Sequence, residues 1–95
     1  MTLNPPRNRR PGPPWWATML ERPDPGVTEY HHPVGTVSGR ESREELRIEL
    51  VRRDADGRRG EAMLSVGGTR LDTHETLALV RVLRRGLVLM NRGAR

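Results

Sequence analysis

Ninety-five residues bound this chain to a single domain, and its mean hydropathy of −0.73 with 34% hydrophobic residues leaves little material for a core. There is no cysteine, which excludes disulfides, thiolate chemistry and Cys-based zinc sites and fits a cytoplasmic protein. The net charge is +5, and all 17 basic residues are arginine. Phosphate binding would not remove every lysine, because lysine also binds phosphate well, so a GC-biased genome is the simpler cause of that pattern. The charge alone is a weak pointer to nucleic acid.

Residues 1–26 hold seven of the eight prolines and read as an N-terminal arm, partly disordered, ahead of a small domain over 27–95. Arg7, Arg9 and Arg10 make a basic cluster there. The segment GPPWWATML at 12–20 brings Trp15, Trp16, Met19 and Leu20 together in a chain without phenylalanine. It could form a helical turn over 15–21 that ends before Pro23. No apolar h-region follows the arginines and no run of about 18 apolar residues occurs, so neither a secretory signal nor a membrane span is expected.

From Val27 to Gly39 the alternation is weak, with a strand signal over 34–38; RESREE after it reads as an exposed turn. LRIELVRR at 46–53 is the best strand. Leu46, Ile48 and Leu50 share one face, and Arg47 and Glu49 the other, expected to face solvent. DADG at 54–57 supplies a turn into EAMLSV at 61–66, and Gly67-Gly68 a second turn into Thr69–Leu71. Asp72 and Glu75 form a capping box opening a helix over about 73–91, stopped at Asn91-Arg92-Gly93. The fold class is α+β: an antiparallel meander of about three strands packed against one C-terminal helix.

The helix carries more apolar surface than one small sheet covers. Thr76, Leu79, Val80, Leu83, Leu87 and Met90 line the stripe expected to meet Leu46, Ile48, Leu50, Leu64 and Val66. Leu77, Val82, Val88 and Leu89 fall outside it, and Gly86 would let another backbone approach. Two accounts remain open: helix-to-helix dimerisation, or Trp15 and Trp16 docking on the helix flank.

GPPWW at 12–16, the histidine segment at 29–37 and VGGTRLDTHETLALVRVL at 66–83 resemble a group of small actinobacterial proteins of unknown function. That group has an N-terminal Cys-Pro-x-Trp-Cys segment, later histidines, a two-strand unit and an acidic-capped C-terminal helix. Gly12 and Trp16 stand where its cysteines would be, so two thiolates of any metal-binding arrangement are lost. The resemblance implies no activity.

No catalytic residue and no cofactor is assigned. VGGTR lacks the spacing and lysine of a phosphate loop, Ser65 is not on a nucleophile elbow, and nothing in the spacing joins Ser65, Asp72 and His74. Adjacent His31 and His32 point to opposite faces of an extended chain, so a metal site would need carboxylates such as Glu29, and none is expected. The sequence reading is a non-enzymatic protein with a regulatory role that acts through protein–protein contact, as a homodimer or with another protein, using Trp15, Trp16, Leu77, Val82, Gly86 and Leu89. The alternative is a nucleic-acid-binding protein that uses its arm and Arg81, Arg84, Arg85 and Arg92.

Overall fold

The computed structural model describes residues 11–41 and 43–93; Arg7, Arg9 and Arg10, in the arm read as partly disordered, lie outside the described residues. Five strands run in chain order: β1 (Met19–Glu21), β2 (Val27–Ser38), β3 (Glu45–Ala55), β4 (Ala62–Val66) and β5 (Thr69–Leu71), followed by α1 (Thr73–Gly93). They form one antiparallel sheet in the order β1-β2-β3-β4-β5. The α+β class holds, but the sheet has five strands rather than about three.

The two additional strands come from the proline-rich stretch and its sequel. Residues 19–21 form a strand instead of the expected helical turn, pairing Met19 with His31 and Glu21 with Glu29. Thr18 extends this pairing, with its backbone N–H and its hydroxyl both donating to the His31 carbonyl at 2.9 and 3.3 Å. β2 is far longer than the weak alternation over 34–38. β1 ends at the partner of His31, so Pro33 falls where β2 is itself an edge strand, and its missing N–H is tolerated. A bulge between Pro33 and Gly35 shifts the register by one residue. Tyr30 and His32 before it and Val37 after it therefore share a face, which is why the alternation is hard to read.

The turns follow local backbone chemistry. Asp56 and Gly57 adopt φ of 54° and 77°, and Gly67 and Gly68 adopt 59° and 90°, the left-handed values of tight hairpin turns. The capping box is formed: Glu75 N–H donates to Asp72 Oδ1 at 2.8 Å, and Asp72 N–H donates to Glu75 Oε1 at 2.9 Å.

The helix does not lie across the sheet. Among the elements, α1 touches only β4 and β5, and none of its residues is buried. Leu46, Ile48, Leu50, Leu64 and Val66 do share a face, as expected, but the helix stripe does not cover them; Leu46 is exposed and the other four are half-buried. The expectation that strand and helix stripes pack together within one chain is corrected. Glu49 is also not simply a solvent-facing residue. It is half-buried beside His31.

Candidate functional site

The buried centre lies in β2 and β3 and is mostly polar. Val51, 2% exposed, and Tyr30 are its apolar members; Glu29, His31, Arg52 and Asp54 are its polar ones. Strand alternation divides these residues between the two faces.

On one face, together with Leu50 and Leu64, Arg52 and Asp54 sit two residues apart and form a bidentate pair. Arg52 Nε donates to Asp54 Oδ1 at 2.9 Å, and Nη2 donates to Oδ2 at 2.8 Å. The same Nη2 donates to the Gly12 carbonyl at 2.8 Å, tying the arm to the sheet, and the guanidinium stands 5.2 Å from the Tyr30 ring centroid. Gly60 N–H donates to Asp54 Oδ1 at 2.9 Å, which anchors the β3–β4 connection. Burial by itself raises the Asp54 carboxyl, but hydrogen bonds from Arg52 and Gly60 and the charges of Arg52 and Arg59 outweigh it and hold its pKa below the ordinary value.

The opposite face carries a charged cluster built by β1, β2, β3 and β5. Arg70 Nη2 donates to Glu29 Oε1 at 3.1 Å and Oε2 at 3.2 Å, and Arg53 Nη1 approaches Oε2 at 3.9 Å. His31 Nε2 faces Glu29 Oε1 at 3.2 Å and Glu21 Oε2 at 3.6 Å, while its Nδ1 faces Glu49 Oε2 at 3.5 Å. Burial pushes the Glu29 carboxyl up, but Arg70 and His31 more than reverse this, leaving its pKa lowered. His32 points to the other face, as adjacent strand residues must, and its buried Nδ1 has no hydrogen-bond partner among the described residues.

The sequence-derived interaction residues do not converge. Trp15 is 95% exposed, so it covers nothing in this chain, and Trp16 is half-buried in the turn before β1. Docking of Trp15 on the helix is corrected. Leu77, Val82 and Leu89 are exposed on α1, with Gly86 half-buried, and Arg81, Arg84, Arg85 and Arg92 are exposed there too. Sequence reasoning passed over Arg52, because a charged residue in a strand ordinarily marks a solvent face, and it placed Asp54 in the DADG turn, whereas β3 runs on through Ala55. The available signal was spacing: Glu29 to His31 and Arg52 to Asp54 are both i, i+2 pairs within strands, which places them side by side.

None of the described helices is long and apolar enough to cross a membrane. No family model, curated protein or solved structure matches the chain.

Proposed function

We propose that this protein is a non-enzymatic homodimer that acts through protein–protein contact, with a regulatory role in the cytoplasm. The observation that carries the reading is the bare helix. Eight large apolar side chains of α1 are exposed: Leu77, Val80, Val82, Leu83, Leu87, Val88, Leu89 and Met90. Val34, Val37 and Leu46 are exposed on the sheet as well. A helix that is apolar around most of its circumference belongs in an interior.

Area supports a second copy as the cover. A compact chain of this mass exposes about 5,500 Å², whereas this one exposes 8600 Å². The 13 residues outside the description would expose about 58 Å² each in that compact chain, so even at an unfolded chain's ~165 Å² per residue they add less than half of the excess. The remainder, roughly 1,700 Å² per chain, is in the range that obligate homodimers bury per partner. A two-fold pair is self-complementary, so each copy's helix stripe can meet the helix or open sheet face of the other.

Light scattering on the eluting protein tests this. A mass near twice the 10.8 kDa chain mass is expected, and Leu83→Glu with Leu87→Glu should return it to one chain. A monomer at every concentration sinks self-association. The nucleic-acid alternative is supported by exposed Arg81, Arg84, Arg85 and Arg92, which pair with no carboxylate among the described residues. It requires duplex binding that weakens steeply with salt, with a shallower slope after Arg84→Ala and Arg85→Ala. Absence of binding at low salt excludes it for duplex DNA.

A further inference from the structure

We propose that Glu21, Glu29 and His31 form a site for a zinc-class divalent cation on the charged face of the sheet. The three side chains come from β1 and β2, and register brings them together: Glu21 is the cross-strand partner of Glu29, and His31 is two residues along the same face. One ligand atom from each lies within 4.8 Å of the others.

The separations match a shared metal shell, and the closest of them, His31 Nε2 to Glu29 Oε1 at 3.2 Å, is also a long hydrogen bond that a cation would replace. Zinc binds nitrogen and carboxylate oxygen at about 2.0–2.2 Å, so a tetrahedral shell places neighbouring donors about 3.3–3.6 Å apart. His31 Nε2 stands 3.2 Å from Glu29 Oε1 and 3.6 Å from Glu21 Oε2. Charge-assisted hydrogen bonds are shorter, about 2.7–2.9 Å.

Donor chemistry points the same way. Both ring nitrogens of His31 face carboxylates, Nε2 toward Glu29 and Glu21 and Nδ1 toward Glu49 at 3.5 Å. A neutral imidazole has one N–H, so one nitrogen turns its lone pair toward carboxylate oxygen unless that nitrogen carries a second proton or a metal cation lies between them. With the proton on Nδ1 and directed at Glu49, Nε2 is free to ligate, and Glu49 orients the ring as an outer-shell carboxylate. Arg70 pairs with Glu29, and Arg53 is shared at 3.9 Å between Glu29 and Asp24, so at least one carboxylate charge among Glu21, Glu29 and Glu49 is not offset when the imidazole is neutral. The imidazole donor selects a zinc-class ion over magnesium or calcium, which take oxygen ligands. Three protein ligands leave a fourth position for water.

The test uses the full, tag-free chain, stripped with chelator, at neutral pH. Zinc is titrated by calorimetry, and cobalt by its visible d–d bands. The expected result is one ion per chain with a tetrahedral cobalt spectrum. Glu21 is 56% exposed in its side chain, so Glu21→Gln keeps the fold, which circular dichroism checks; it should weaken binding about tenfold or more. His31→Gln should abolish binding, while His32→Gln and His74→Gln leave it unchanged. No stoichiometric uptake overturns the proposal. So does uptake that survives Glu21→Gln undiminished, or that is lost with His32 or His74. Because the readout is metal uptake, it stands apart from the oligomeric mass.

Discussion

Replacing Asp54 with Asn removes one charge from a buried carboxylate that accepts three hydrogen bonds. Asp54 accepts from Arg52 Nε at 2.9 Å, from Arg52 Nη2 at 2.8 Å and from Gly60 N–H at 2.9 Å. The Asn amide keeps the shape but turns an NH2 donor toward a guanidinium that has only donors. Arg52 is then a buried charge without a counter-charge, left with the Asn amide oxygen, the Gly12 carbonyl and the Tyr30 ring as partners. Breaking a buried pair from one side costs about 3–5 kcal/mol. For a urea slope near ~1.5 kcal/mol/M, the unfolding midpoint should fall by about 2–3 M. Circular dichroism in urea reads this out, at one fixed chain concentration because assembly contributes to stability. Arg52→Met combined with Asp54→Leu should recover much of the loss, since apolar replacement of a buried pair is often neutral. A midpoint within ~0.5 M of the parent for Asp54→Asn would refute the assignment of this pair as a stabilising contact. pH supplies a second readout. The folded pKa of Asp54 is depressed, so its contribution is fully present above the unfolded value of ~3.9 and is lost as pH falls through the folded pKa. Glu29 acts with the same sign. Acid should therefore destabilise the parent below about pH 4 more steeply than Asp54→Asn.

Gly60→Ala should be severely destabilising, because a Cβ there would collide with the Arg53 carbonyl, which is backbone and cannot rotate aside; thermal melting shows it, and a melting temperature equal to the parent's would contradict the close approach. Asp72→Ala should cost about 1 kcal/mol by removing the side-chain half of the capping box, measured by the same urea titration. In Trp16→Phe, the remaining Trp15 should emit like free tryptophan and be fully quenched by iodide; a blue-shifted, protected signal would mean that a second chain covers it.

The sequence by itself determined the elements whose signals are local. Asp72 and Glu75 define the start of α1 through reciprocal backbone capping, and Gly67-Gly68 sets a turn whose positive φ values glycine adopts without strain. Leu46, Ile48 and Leu50 lie on one face because strand alternation has a period of two whatever the surroundings. The surplus of apolar surface on the helix was also legible, as a count of residues a small sheet cannot cover. Tertiary structure decided the rest. Met19–Glu21 becomes a strand only because β2 offers an edge, so no signal inside those three residues could announce it. The bulge at Pro33/Gly35 breaks the alternation that would have marked β2 as one long strand. Where α1 goes depends on packing between elements, and Trp15 stays exposed because no described surface of this chain reaches it. The polar centre was the least readable part. Glu29, His31, Arg52 and Asp54 look solvated one at a time, and their burial is tolerable only when strand register sets each charge beside its partner, with the more exposed Arg70 reaching in to Glu29.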